Sequence, residues 1–432
     1  MSATVFYLFL GFTAFSTLLQ LLLSLRQSRA VLLHRGRVPR DFKNVVSLEE
    51  HQKAADYALA KQRFSRWHIL YETLLLLMFT LGGGLNLLAE TANRLTASPL
   101  NQGVLLVVLF SLASSLLSLP FALYRSFRLE AAFGFNNMTL GTFFADQIKG
   151  LLLGAAIGIP LLYAVIYLMG AAGNAWWLWV WLLWLGFSLL MLWAFPKWIA
   201  PLFNRFEPLA DEDLQQRITN LLTRTGFASN GIFVMDGSKR SGHANAYFTG
   251  LGQNKRIVFF DTLLKGMQPQ EVEAVLAHEL GHFKHRHIVK QIAVRFLLAL
   301  LVLFALGQII HFAAVYHGLG VAYPSHAMAL LLMMLVLPVL SFPFAPLGSF
   351  SSRRNEFEAD RFAAAHTHAE DLISALIKLY RSNAASLVND RWYARWYDSH
   401  PNARERIAEA RHIPLDQFPS SGSLPVSASV VI

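Results

Sequence analysis

The chain lacks cysteine altogether and is short of charge: only 15% of its 432 residues are Asp, Glu, Lys or Arg, where a soluble domain carries roughly 25%. Without cysteine there are no disulfides, thiolate metal sites or cysteine nucleophiles, which leaves His, Asp, Glu, Ser and Thr to carry any chemistry. Scarce charge beside 54% apolar residues and a mean hydropathy of +0.41 excludes disorder and argues against a wholly soluble protein. What charge there is leans positive, a net +10 from 37 Lys and Arg against 27 Asp and Glu. A nucleic-acid binder would be as basic but not as apolar, so no nucleic-acid partner is expected.

What the chain has instead is long apolar runs. A membrane span needs about 20 mostly apolar residues, and such runs fall near 4–25, 69–90, 102–124, 151–170, 175–195, 291–311 and 327–349. Leu105 to Leu119 and Trp176 to Trp193 carry no charge on any face, whereas a soluble surface helix would show a polar stripe. The expectation is a mainly α, polytopic protein with seven transmembrane helices in a lipid bilayer. Pro160, Pro338 and Pro343 interrupt the fourth and seventh runs, which spans tolerate.

Cytoplasmic loops collect Lys and Arg. Residues 26–66, 125–149, 196–290 and 350–432 hold 10, 3, 12 and 10 of them, so 35 of 37 fall on one side, with Arg94 opposite and Arg295 just inside the sixth span. With an odd number of spans, the N-terminus is expected outside and the C-terminus in the cytoplasm; in a bacterium the membrane would be the inner one. The first span is followed by Arg26 and Arg29 and has no A-x-A-like site, which suits a retained anchor rather than a cleaved signal.

The chain accordingly divides into helices 1 to 5 with their loops (1–195), a cytoplasmic segment (196–290), helices 6 and 7 (291–349), C-terminal cytoplasmic helices (350–413) and a flexible tail (414–432). Residues 196–290 predict a helix from Asp211 to about Thr225 ended by Gly226. Short strands follow near Ile232–Met235, Ala244–Thr249 and Arg256–Asp261, giving a small β-sheet. A second helix opens at Pro269, with Glu271 and Glu273 in its first turns. Residues 350–411 predict two or three helices.

On the Pro269 helix lies His278-Glu279-Leu280-Gly281-His282, an H-E-x-x-H sequence. Four residues at 100° each place the two imidazoles on one face about a turn apart, able to share one ion, with Glu279 turned aside as a base for water. A catalytic zinc site takes three protein ligands and keeps one position open. With no cysteine available, the third must be His, Asp or Glu on another segment. His285 would string three ligands along one helix and His287 lies about 140° around it, so both suit basic residues at the cytoplasmic membrane surface better. Glu356 and Asp360 share a face four residues apart, so one can ligate while the other supports a ligand's free imidazole N–H.

The sequence resembles the type I CAAX prenyl protease family, integral-membrane gluzincin zinc metalloproteases with bacterial relatives. The resemblance is carried by Phe133-Gly134-Phe135-Asn136 with Thr139, Phe143, Asp146 and Lys149; by Pro201-Leu202-Phe203-Asn204; and by Asn245-Ala246-Tyr247-Phe248-Thr249-Gly250. Further on it takes in His278 to His282 with His287, Glu356 to Asp360, and Ser399-His400-Pro401 with Arg406. It implies one Zn2+ per chain on His278, His282 and Glu356, with Glu279 as general base and Asp360 as an orienting partner or proton donor. Asn245 and Ala246 would pair with an extended peptide or protein substrate, lipidated or not. His400 and Arg406 would stabilise an oxyanion. The spans would enclose an internal chamber closed by the zinc domain, and Glu72, inside the second span, should then face protein or water. The function implied is a zinc-dependent membrane endopeptidase of CAAX type. Two other readings stand beside it: a membrane-protein quality-control protease, and a transporter or channel with a structural metal site, which would have no need of Glu279.

Overall fold

The computed structural model describes residues 1–227, 229–249 and 256–411, apart from the side chains of 248 and 249. The expected flexible tail, 414–432, lies outside the described residues. Six of the described helices are long and apolar enough to cross a membrane, and a bent pair, taken together, meets the same length and composition, giving six to seven. Helix α1 (Ser2–His34) and α2 (Leu48–Phe79) form an antiparallel hairpin; α3 (Gly84–Leu95), α4 (Pro99–Tyr124), α5 (Leu140–Ala171) and α6 (Trp176–Ala194) follow. All seven expected runs fall on these helices or on the later pair, yet two features differ from expectation.

The second run is not one straight helix. Between α2 and α3 the axis bends by 51°, because the Gly82-Gly83-Gly84 run supplies Gly83 at φ 78°, a left-handed residue that ends one helix and starts the next. Residues 26–66 are not a loop either. Both α1 and α2 continue well past the apolar runs, and Ser47 caps α2 through a reciprocal box with Glu50. Pro160 and Pro338 sit inside their helices, as expected of spans. Glu72 is half exposed and lies 3.7 Å from His68. An apolar cavity of about 900 Å3 runs between α4 and α5, with Ser111, Ser115, Gly154 and Gly158 on its walls.

The polar segment then folds as a small α/β unit: β1 (Phe206–Pro208), α7 (Glu212–Thr225), β2 (Ile232–Met235), β3 (Ala246–Thr249), β4 (Arg256–Phe260) and a single turn, α8 (Asp261–Leu264). Helix α7 has the ends its sequence predicts: Asp211 accepts the Leu214 N–H at 2.9 Å, and Gly226 closes it at φ 69°. The sheet order is β1-β2-β4-β3, with β2 and β4 parallel and the outer pairings antiparallel, which puts β3 on an edge. Strand β1 has no counterpart in the sequence reading, since three residues containing a proline carry no period.

Helix α9 (Pro269–Lys284) packs beneath this sheet. After it come α10 (His287–Ile309), α11 (Ala313–Gly318), α12 (His326–Ser341), α13 (Ala345–His366), α14 (Ala369–Ser382), α15 (Arg391–Tyr397) and α16 (Ala403–Ala410). Among the described residues the C-terminal region thus holds four helices where two or three were expected, and the first continues the last apolar run. One core joins Ile218, Leu221, Phe259, Leu276, Leu280, Leu372 and Ile407, so α7, the sheet, α9, α14 and α16 fold as a unit. A separate apolar core holds the membrane helices together. The two are stitched by the residues between α4 and α5. Phe135 stacks on His243 at 4.1 Å, Asn137 N–H bonds the Arg240 carbonyl, and Arg240 forks onto Asp146 at 2.8 and 3.0 Å while reaching Asn204.

Candidate metal centre

Helix α9 presents His278 and His282 toward α13, and α13 presents Glu356 back. The His278 and His282 Nε2 atoms lie 3.2 Å apart, and each is 3.4 Å from a Glu356 oxygen. Two imidazole nitrogens converging on a carboxylate at this spacing are close enough to share one ion, as zinc shares histidine and carboxylate ligands at about 2.0–2.2 Å. Glu356 Oε2 is buried without a hydrogen-bond partner. That orphaned atom and the crowded nitrogens are both accounted for if a cation sits among them. The residues therefore fit a metal, and among the described residues this is the group whose donor atoms can share one ion.

Each histidine is held from behind, by a different device. His278 Nδ1 lies 2.8 Å from Asp360 Oδ1, and Asp360, wholly buried, takes a two-pronged grip from Arg406 at 2.6 and 2.9 Å. Burial alone would push His278 down, but the Asp360 and Glu356 carboxylates overcome it and raise His278 to about 9 in the absence of metal. His282 Nδ1 lies 3.0 Å from His287 Nδ1, and His287 Nε2 lies 3.0 Å from Glu358. If His282 uses Nε2 as ligand, its Nδ1–H donates to His287, whose Nε2–H donates to Glu358; the network fixes both tautomers.

His287 is the residue that sequence reasoning undervalued. The angle of 140° assumed a continuous helix, but α9 ends at Lys284 and Arg286 is left-handed at φ 57°, which turns His287 back under His282 with 1% of its surface exposed. Glu358, two residues past Glu356, was the available signal. His285 stacks on the His287 ring and is itself exposed.

The open side of the group is a cavity of about 190 Å3. Its walls include His278, Glu279, His400 and Arg406 on one side and Ala244, Asn245 and Ala246 on the other. Glu279 is half-buried there, and His400 Nε2 stands 3.4 Å from Glu356. Asn245 and Ala246 sit at the start of edge strand β3 beside it. All nine residues singled out from the sequence therefore gather around one cavity or directly behind it.

This is the build of an integral-membrane metalloendopeptidase. Residues 27–205 match the model described as CAAX prenyl protease N-terminal, five membrane helices, and residues 208–414 match peptidase family M48; the chain belongs to that family. It is 32% identical over 420 residues to the CAAX prenyl protease 1 homolog of Caenorhabditis elegans, covering 90% of this chain and 93% of that one. The human CAAX prenyl protease 1 homolog is 32% identical over 433 residues, covering 88% and 90%. The crystal structure of Ste24p from S. mikatae superposes with a TM-score of 0.87 at 30% identity, covering 94% of this chain and 98% of that chain.

Proposed function

We propose that the chain holds one zinc ion on His278, His282 and Glu356 and hydrolyses peptide bonds near the C-terminus of CAAX-type, lipidated substrates. The observation that carries the metal assignment is the convergence, from two helices, of the His278 and His282 Nε2 atoms, 3.2 Å apart, on the Glu356 carboxylate, with Oε2 3.4 Å from His278 and Oε1 3.4 Å from His282. When bound, zinc supplies Lewis acidity that polarises a carbonyl and acidifies water at neutral pH.

The protein's own residues do the rest. Glu279 takes a proton from the attacking water and delivers it to the departing amine. Asp360 and His287 hold the two imidazoles in their ligating tautomers. Asp360, buried behind His278, orients rather than donates. His400, on the cavity wall, hydrogen-bonds the developing oxyanion, and Arg406 adds positive charge from beneath. Ala246 binds the substrate backbone as an added strand on the edge of β3, with the Asn245 side chain beside it.

The charge distribution supports one side of the membrane for the site. The basic loops carry 35 of 37 Lys and Arg and also every residue of the site, which supports an outside N-terminus and a cytoplasmic zinc domain. Glu72 is half exposed within the second span, and the cost of facing a carboxylate to lipid supports a wet interior between the helices.

The test compares zinc content and peptide cleavage for the parent, Glu279→Gln and Glu356→Ala proteins in detergent. Zinc should be lost only from the last, and activity from both. Cleavage by Glu279→Gln at the parent rate would remove the base assignment.

A further inference from the structure

Part of the substrate-pairing edge beside the metal group is already taken. In an antiparallel pair, successive residues turn their backbone groups alternately toward and away from the partner strand. Asn245 turns toward β4, its carbonyl accepting the Phe260 N–H at 3.0 Å; Ala244 and Ala246, on either side, therefore turn to the free edge, where the Ala246 N–H donates to the Asn245 side chain at 2.8 Å, a contact an incoming strand would replace. At Ala244 that edge is closed. The Asn383 amide oxygen accepts the Ala244 N–H at 3.0 Å, and its NH2 donates to the Ala244 carbonyl at 3.3 Å. One side chain thus makes the two bonds that a residue of an added strand would make, and it does so one outward-facing position before Ala246.

Asn383 also stands in the wall between two cavities. One is the metal-site cavity; the other, about 440 Å3, runs from His400 and Asn383 to Lys61 and Gln62 on α2 and to Tyr393 on α15. Most of its polar groups are committed to one another. Gln62 donates to the Tyr393 hydroxyl at 2.8 Å, and Asn389 bonds Asp398 at 2.7 Å and Gln27 at 2.9 Å. Lys61 is the exception. Its ammonium lies over the Tyr57 ring at 4.0 Å and has no carboxylate within ion-pair distance among the described residues. Two acids stand nearby: Glu130 is bonded by the Tyr57 hydroxyl at 2.8 Å, and burial pushes the Asp398 carboxyl up, toward its neutral form. Burial pushes the Lys61 ammonium down and the Glu130 carboxylate holds it up, so the cavity offers whatever enters past Asn383 a cation without a direct ion pair, and an anion fits it better than an amine.

We propose that Asn383 ends the stretch of β3 open to a peptide, and that the cavity beyond receives the peptide's free C-terminal carboxylate on the Lys61 ammonium. This rests on the peptidase reading above and adds the rule that admits substrates. The bound strand runs antiparallel to β3, its C-terminus toward Ala244. The cut falls a few residues from a free carboxylate, because a longer chain would have to displace Asn383. Lys61 is then a specificity residue that senses the end of the chain.

The test uses the full-length Glu279→Gln protein, loaded with zinc in detergent, and two fluorescent peptides that differ only in a free or an amidated C-terminus. The free acid should bind about tenfold or more tightly, the scale of a charge-assisted hydrogen bond. Lys61→Gln in the same background should bring the acid down to the amide's affinity and leave the amide unchanged; Lys61→Arg should restore the difference. A merely structural lysine would weaken both peptides alike. Equal affinity of acid and amide for the unaltered Lys61 protein would overturn the proposal. The peptidase reading is judged separately: cleavage of both peptides by the parent at equal kcat/KM leaves that reading standing and removes the carboxylate rule, while cleavage of neither removes the reading.

Discussion

A methyl group added at Gly281 would stand 2.8 Å from the Cα of Ala359. Helices α9 and α13 touch backbone to backbone at this point, with Ala277, Ala359 and Ala363 fully buried around it. That contact lies between His278 and His282 on one helix and between Glu356 and Asp360 on the other, so it sets the distance across which the metal group closes. The second variable position of the H-E-x-x-H sequence is therefore not free.

Gly281→Ala should force the helices apart. Overpacking of this kind costs about 1–3 kcal/mol, and here the strain falls on the metal group. The expected outcome is a lower Tm together with a zinc content well below one per chain, measured by metal analysis after gel filtration. Full zinc occupancy would show that the close approach does not set the site.

His287→Ala should weaken zinc binding without touching a ligand. Loss of such a supporting hydrogen bond typically costs about 10–100-fold in metal affinity. Glu358→Gln should act in the same direction and less strongly, because His287 keeps its contact with His282. Chelator competition measures both; an unchanged affinity in His287→Ala would make the 3.0 Å contact incidental.

Breaking the Asp360–Arg406 pair strands a buried charge. Removal of one partner of such a pair costs about 3–5 kcal/mol, so Asp360→Asn and Arg406→Gln should each lower Tm steeply. Arg406→Lys keeps the charge but loses the two-pronged grip seen at 2.6 and 2.9 Å, and its Tm should fall between that of the parent and that of Arg406→Gln. Thermal unfolding followed by tryptophan fluorescence orders the three variants.

Removing the metal exposes the proton that competes with it. In the metal-free protein His278 is raised to about 9, so its proton is present at pH 7.5 and mostly gone at pH 10. The pairing with Asp360 and Glu356 stabilises the metal-free fold below the unfolded value of about 6.5 and fades as pH rises through about 9. Zinc added to chelated protein should therefore release more protons at pH 7.5 than at pH 10, read from a pH indicator in weak buffer. Equal release at both would contradict a protonated His278.

The absence of cysteine makes one membrane test clean. A single Glu72→Cys substitution should react with small polar thiol reagents, since Glu72 is half exposed beside His68 rather than packed among apolar chains. Complete protection in bilayers would mean that this face meets lipid or protein instead of water.

Much of the site was legible because its parts are local. The four-residue spacing of His278 and His282, that of Glu356 and Asp360, and the caps Asp211 and Gly226 each follow from helix geometry within one segment. His287 escaped because a single left-handed residue, Arg286, broke the helix on which its angle was reckoned. The bend at Gly83 escaped for a related reason: three glycines permit a break but do not require one, and the packing of Gly320 against Thr80 and Leu81 is contact between segments 240 residues apart. Strand β1 exists only because β2 is there to pair with it.

By itself the sequence determined that this is a membrane protein whose basic residues cluster in four segments, and that an H-E-x-x-H pair without cysteine needs a third His, Asp or Glu from elsewhere in the chain. Composition, run length and helical period are properties of the chain alone, and they survive any arrangement of the segments. Only the tertiary structure decided which acid faces the histidines, which group stands behind each imidazole, and that Asn383 occupies the edge at Ala244. Those are distances between residues far apart in the chain, set by how closely α9 and α13 can approach and by which elements share a core, and no local pattern records them.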